Sequence, residues 1–133
     1  MGHWHFKSYE GQDGNQPWEW LDQQGENVRE YVYSQLYGVS NTENAPIEHF
    51  ADLPGRYVGL SHLSIHFESP FGIRHVALIG FWQPDSTNFI VVLCSEVDDN
   101  NYGLLLEKAL GHKHDWEEKL GEVYDLFPGE YSI

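Results

Sequence analysis

The chain has 133 residues, 41% of them hydrophobic and 15% aromatic, and its 7 Lys and Arg face 21 Asp and Glu, giving a formal net charge of −14. This length suits a single domain spanning residues 1–133, and the apolar content suffices for a packed core, so a wholly disordered chain is excluded. The acidity argues against direct binding to nucleic acid or to an anionic membrane, because phosphate groups repel it.

Neither a membrane-spanning helix nor a secretory signal is expected. No apolar run approaches the required length, and the N-terminal residues contain no apolar core region. Cys94 is the single cysteine, which excludes an internal disulfide and a cysteine-rich zinc module. These features predict a cytoplasmic protein in which Cys94, placed within an apolar run, is buried and unreactive.

The first part of the chain predicts one short strand and one long helix. Residues 3–7 are typical of a short edge strand, and a loop rich in Gly, Asp and Asn follows. Apolar residues at helical spacing then predict a helix near 17–37, although Gly25 interrupts the pattern. A short helix is also expected at residues 45–51.

Three strands are predicted in the middle of the chain. Residues 56–67 and 73–82 show the alternation of a strand, and Ser69-Pro70-Phe71-Gly72 separates them. Residues 88–96 are apolar on both faces, which is typical of a central, fully covered strand. Short turns join the three segments, so an antiparallel meander is expected.

Two further helices are predicted near 102–112 and 115–126. Asp115 resembles an N-cap, and Glu118 completes a box-like signature three residues later. The buried stripe of this last helix would contain Trp116, Leu120, Val123 and Phe127. The fold class is therefore α+β, a single domain with an antiparallel meander covered by about three helices.

The loop after the third strand is dense in side-chain oxygens. Calcium takes about six to eight oxygen ligands, and loops of Asp and Asn next to a rigid strand end supply them. In a meander the end of the first strand and the exit of the third lie at the same end of the sheet, which brings Glu68 to this loop. The sequence thus predicts calcium ligands at Glu68, Glu96, Asp98, Asp99 and Asn100, with Asp13 and Asn15 of the early loop as a second contribution.

Structural alternatives exist for each of these patterns. Ala109 stands where an EF-hand counted from Asp98 requires a Glu, so that motif is rejected, and Asp and Asn also end strands and cap helices without any ligand. Glu118, Glu122 and Asp125 share one face of the predicted last helix. That face is either solvated or binds a basic partner, as a nucleic-acid mimic would.

Histidines occur in pairs, His3 with His5, His62 with His66, and His112 with His114. A transition-metal site would need a third ligand that the spacing does not supply. His62 and His66 lie about 13 Å apart along a strand, too far to share one ion. Ordinary surface histidines are the alternative.

In its length, its acidity, its single cysteine and clusters such as Glu96-Val97-Asp98-Asp99-Asn100, the chain resembles the small acidic calcium-binding proteins of filamentous cyanobacteria that act in heterocyst differentiation. The resemblance implies a cytosolic calcium buffer or sensor in signalling, with no enzymatic activity, and it transfers no ligand residue. The competing hypothesis is an acidic inhibitor that blocks a basic protein surface. An enzyme is not expected, because the sequence has no Gly-rich phosphate loop, G-x-S-x-G or HExxH motif.

Overall fold

A computed structural model describes residues 5–11, 14, 16–40, 51–53, 55–70, 72–84, 87–98 and 100–126. One mixed sheet of six strands, in the order β2-β3-β4-β5-β1-β6, lies between helices on both faces, which confirms the predicted α+β class. In chain order the elements are β1 (His5–Glu10), α1 (Gln16–Gln23), α2 (Glu26–Ser40), β2 (Ala51–Asp52), a 3-10 turn (Gly55–Tyr57), β3 (Ser61–Ser69), β4 (Gly72–Trp82), β5 (Asn88–Glu96), α3 (Tyr102–Glu117) and β6 (Glu122–Asp125).

The predicted antiparallel meander is confirmed in β3, β4 and β5. Ser69 pairs with Gly72 across the first turn, and β5 takes the predicted central place in the sheet. The pairing of β4 with β5 shifts register once, between Ile79 and Gly80. A Cβ atom at Gly80 would collide with the carbonyl oxygen of Ile90, so only glycine permits this close approach of the two strands.

The first strand lies inside the sheet, so the prediction of an edge strand is wrong. β1 pairs in parallel with β5, with Phe6 opposite Phe89 and Ser8 opposite Val91, and it pairs in antiparallel fashion with β6 on its other side. Burial of both Phe6 and Ser8 reflects this interior position. The sequence alone does not predict the interior position of β1, because both of its partner strands lie far away along the chain.

The helix predicted over 17–37 is two helices that break at Gln24 and Gly25. The guanidinium of Arg29 closes the end of α1 by donating hydrogen bonds to the carbonyl oxygens of Asp22 (3.0 Å) and Gln24 (2.7 Å). The carbonyl of Gly25 accepts from the backbone N–H of Val28 at the start of α2. The helix expected at residues 45–51 falls outside the described residues except for its last position, where β2 begins.

The last predicted helix, over 115–126, is also wrong. Asp115 lies inside α3, which continues to Glu117, and the chain reverses at Lys119, whose φ is 62°. The strand β6 follows and pairs with β1. Glu118, Glu122 and Asp125 therefore do not share a helix face.

Each face of the sheet carries its own hydrophobic core. On one face Leu21, Val32 and Leu36 of α1 and α2 pack against the sheet, and Cys94 is buried among them as predicted. On the other face Leu105, Leu106 and Ala109 of α3 cover the sheet. Each fully buried aliphatic or aromatic side chain contributes about 1.5–3 kcal/mol. None of the helices within the described residues is both long and apolar enough to cross a membrane.

Candidate functional site

The acidic end of the sheet contains an ion pair between two strands. Arg74 of β4 donates to Glu96 of β5 from Nη2 (2.6 Å) and from Nε (3.1 Å), and its Nη2 also reaches the side-chain oxygen of Gln24 at 3.3 Å. A guanidinium at this distance already balances the Glu96 carboxylate. It also opposes the approach of a calcium ion to that carboxylate, because like charges repel.

Asp98 and Asn101 close the loop after β5 by hydrogen bonds to each other's backbone. Oδ1 of Asp98 accepts from the backbone N–H groups of Asn100 (2.7 Å) and Asn101 (2.9 Å). Oδ1 of Asn101 accepts from the N–H of Asp98 at 3.0 Å, and its Nδ2 donates to the carbonyl of Glu96 at 3.0 Å. This is the structural role that the sequence allowed as an alternative, an Asx-type turn between a strand and a helix.

Glu68 lies at the same end of the sheet as this loop, in the neighbouring hairpin. It pairs opposite Ile73 in the β3–β4 hairpin, and β4 separates it from β5, a lateral distance of about 10 Å between the outer strands. Together with Tyr31 and Arg74 it lines a cavity of about 680 Å³.

The remaining predicted ligands, Asp13, Asn15 and Asp99, lie outside the described residues. Within the described part of the chain, no three His, Cys, Asp or Glu side chains converge as a metal site. Calcium binding at Glu68, Glu96, Asp98 and Asn100 therefore stays a prediction.

Three histidines form a row across β3 and β4, on the face covered by α3. His66 pairs directly with His75, and the two rings stack with centroids 4.3 Å apart. The ring of His62 lies 5.9 Å from that of His75 on the other side. Both nitrogens of His62 are engaged, Nδ1 with the hydroxyl of Tyr102 (2.7 Å) and Nε2 with the hydroxyl of Ser64 (2.9 Å).

Two histidines of this row, His62 and His75, lie in surroundings that favour the neutral ring. Burial, together with the charges that His75 and His66 would carry, lowers the pKa of His62 to about 4. Burial and the neighbouring His66 also lower the pKa of His75. Nε2 of His75 is buried and has no hydrogen-bond partner among the described residues. Sequence alternation placed His62 and His66 on one face, but the strand register that inserts His75 between them was not readable.

A crevice opens where β1 and β5 separate. Their parallel pairing ends at Ser8 and Val91, after which β1 leads to α1 on one face of the sheet and β5 leads to α3 on the other. A cavity of about 300 Å³ lies between these elements, and its lining includes Gln16, Glu19, Leu93, Leu105, Lys108 and His112. Sequence reasoning missed this site, because it did not pair β1 with β5.

The outer surface of α1 and α2 is acidic and aromatic. Asp22, Glu26 and Glu30 are exposed, and Tyr31 and Tyr37 are 38% and 49% exposed. Arg29 is the one Lys or Arg in residues 16–40, and its guanidinium donates to backbone carbonyls of the α1–α2 junction. These five residues, Asp22, Glu26, Glu30, Tyr31 and Tyr37, are called the acidic face below.

Comparison of the chain with protein-family models, with curated proteins and with solved structures found no match.

Proposed function

We propose that the protein is a cytoplasmic acidic binding module that covers a basic surface of another protein through its acidic face, without catalysing a reaction. The observation that carries the proposal is the combination of exposed carboxylates and exposed tyrosines on one helical layer. Tyrosine offers a large contact area, and it is enriched in protein interfaces. Carboxylates of one sign steer a basic partner to that surface.

The charge distribution favours the acidic face over the other acidic features of the chain. The guanidinium of Arg29 is turned to the backbone carbonyls of Asp22 and Gln24, and the acidic end of the sheet holds Arg74 beside Glu96. The helix face that the sequence predicted from Glu118 to Asp125 does not form. The acidic face thus combines three exposed carboxylates with two exposed tyrosines on α1 and α2.

The test is a titration of the ¹⁵N-labelled protein with a hexa-arginine peptide, followed by NMR. Backbone signals of α1 and α2 should shift and saturate, and added salt should weaken binding. The variant Glu26→Gln/Glu30→Gln should weaken it about tenfold. The matched control, Glu117→Gln/Glu118→Gln, removes the same charge from the end of α3. Equal weakening by both pairs would mean a general charge attraction and would overturn the assignment to this face.

Calcium binding is the second candidate function, and it is the one that the likeness to cyanobacterial calcium-binding proteins implies. The exposed loop with Asp98 and Asn100 favours it, together with the net charge of −14. The test is a thermal melt with and without millimolar calcium at constant ionic strength, on the wild type and on Asp98→Asn/Asp99→Asn. Asparagine at 98 keeps the Oδ1 acceptor of the turn, so a loss of calcium stabilisation reports on the ligand rather than on the fold. No stabilisation of the wild type would end the calcium hypothesis.

A further inference from the structure

The crevice between β1 and β5 lies at a topological switch point. Two neighbouring parallel strands whose following helices pack on opposite faces leave a gap outside their carboxyl ends, and ligands of open α/β sheets bind in such gaps. Here the two helices are α1 and α3, and the strand pairing stops at Ser8 and Val91. The cavity of about 300 Å³ is at the lower end of the size range of small-molecule pockets.

Side chains from both helices satisfy the backbone of β5 beside the crevice. The amide of Gln16 accepts from the N–H of Cys94 (2.9 Å) and donates to its carbonyl (2.8 Å). Nδ1 of His112 lies 2.8 Å from the carbonyl oxygen of Val92. Because a carbonyl only accepts, Nδ1 is the donor of this hydrogen bond. The strand edge is thereby closed by the protein itself, and the crevice needs no further strand.

The lining combines opposite charges with an apolar wall. Lys108 and His112 stand one turn apart on α3, and Glu19 faces the cavity from α1. The Glu19 carboxylate packs beside Gly14 of the preceding loop, where a Cβ atom would lie 3.0 Å from both of its oxygens. Leu93 and Leu105 supply the apolar part of the lining.

We infer that this crevice binds a small zwitterion with an apolar side chain, of the size of a free α-amino acid. The carboxylate of the ligand pairs with Lys108, its ammonium group pairs with Glu19, and its side chain packs on Leu93 and Leu105. A simple anion would leave Glu19 unpaired, and a simple cation would leave Lys108 unpaired. A ligand that carries both charges therefore forms one more charge-assisted hydrogen bond with the lining than either simple ion does. This site is separate from the acidic face and does not depend on the proposed function.

The experiment compares L-leucine with its two half-ligands, 4-methylpentanoate, which lacks the amine, and 3-methylbutylamine, which lacks the carboxylate. Binding to the full chain is followed by NMR of ¹⁵N-labelled histidine at His112 and of the backbone amide of Lys108. Leucine should give saturable shifts at millimolar concentration. Each half-ligand should bind at least about tenfold more weakly, because it leaves one charge of the site unpaired.

Variants at exposed positions assign the two charges. Lys108→Met and Glu19→Gln should each weaken leucine binding about tenfold. The matched controls are Lys113→Met, on the same helix, whose ammonium lies near Phe81, and Glu117→Gln at the end of α3. Both controls should bind leucine as the wild type does. The inference is overturned if leucine gives no saturable shift, if a half-ligand binds as tightly as leucine, or if the controls weaken binding as much as the site variants.

Discussion

The two sides of β5 are closed by different means. On one side β4 pairs with it from Glu96 to Phe89, along the whole strand and with one bulge. On the other side β1 pairs with it only as far as Val91, and beyond that point the side chains of Gln16 and His112 hydrogen-bond to the backbone of Cys94 and Val92. The first side is a continuous ladder between neighbours in sequence, whereas the second is a short parallel pairing between distant segments. The difference indicates that β4 supplies rigidity, whereas the β1 side supplies the crevice.

The largest effect is expected from Gly80→Ala, on the ladder side. The new methyl group would collide with the carbonyl of Ile90, so β4 and β5 would have to move apart. We expect a loss of about 2–3 kcal/mol in the free energy of unfolding. The matched control is Gly111→Ala at an exposed position of α3, where the added Cβ would meet no atom of another described element within 4 Å. It should stabilise the protein by about 0.5–1 kcal/mol, because alanine is the better helix former. Urea unfolding measures the free energy of unfolding of both variants. Similar losses in the two would contradict the close approach of β4 to β5 at Gly80.

On the side of β5 that faces β1, Gln16→Ala should lower the free energy of unfolding less than Gly80→Ala does, and its effect should be local. It removes both hydrogen bonds to the backbone of Cys94, and water can replace them only in part. The expected loss is roughly 1–2 kcal/mol. Gln23→Ala, at an exposed position of the same helix, should change stability by less than about 0.5 kcal/mol.

Hydrogen exchange distinguishes the two sides. In Gln16→Ala the amide of Cys94 should lose protection, while the amides of β4 keep theirs. Uniform loss of protection along β4 and β5 would contradict the view that the two sides of β5 are stabilised independently.

These two sides also differ in how far the sequence predicts them. The ladder side follows from local patterns, because residues 56–67 and 73–82 alternate, residues 88–96 are apolar on both faces, and short turns fix the order of the strands. The parallel pairing of β1 with β5 joins distant segments of the chain, for example Ser8 and Val91, and β6 also pairs with distant β1. No local sequence pattern encodes such a register. The four residues of β6 are too few to outweigh the helical spacing of Trp116, Leu120 and Val123.

The predicted calcium site also depends on information beyond local patterns. Topology correctly placed Glu68 and the Asp98 loop at one end of the meander. The sequence does not give the side-chain geometry at this end, which includes the guanidinium of Arg74 at Glu96 and the hydrogen bonds of Asp98. The histidine row was hidden in the same way, because it depends on the pairing of His66 with His75.

The histidine row predicts a pH dependence of stability on the ladder side. The pKa of His62 is about 4 in the folded state against the ordinary value of 6.5 for histidine, so the unfolded chain binds more protons between these values. The free energy of unfolding should therefore fall as the pH drops from 6.5 to 4. The stability that depends on the neutral His62 ring is fully present above pH 6.5. Solvent exposure of the ring reduces it to roughly 1 kcal/mol.

The variant His62→Gln keeps a polar side chain beside Tyr102 and Ser64 but does not titrate. Its unfolding free energy, measured in urea from pH 7 to pH 4.5, should depend on pH less steeply than that of the wild type. Parallel curves for the two proteins would assign the pH dependence to other groups.

The most local effect is expected on the thiol reactivity of Cys94 in β5. Its side chain is fully buried on the face of α1 and α2, and burial raises the pKa of its thiol, so almost no thiolate forms near neutral pH. The native wild type should show no rapid labelling by a thiol reagent.

Two variants show which part of β5 must open before Cys94 reacts. When the protein opens and closes around Cys94 faster than the reagent reacts, the labelling rate follows the population of the open form. Gln16→Ala should then raise the rate about tenfold, in proportion to a local loss of about 1.4 kcal/mol, since it releases the backbone of Cys94 itself. Gly80→Ala should raise it only through global unfolding, so urea should accelerate labelling steeply in this variant and shallowly in Gln16→Ala. An equally steep response in both variants would mean that β5 is released as one unit with β4, and that the β1 side has no opening of its own.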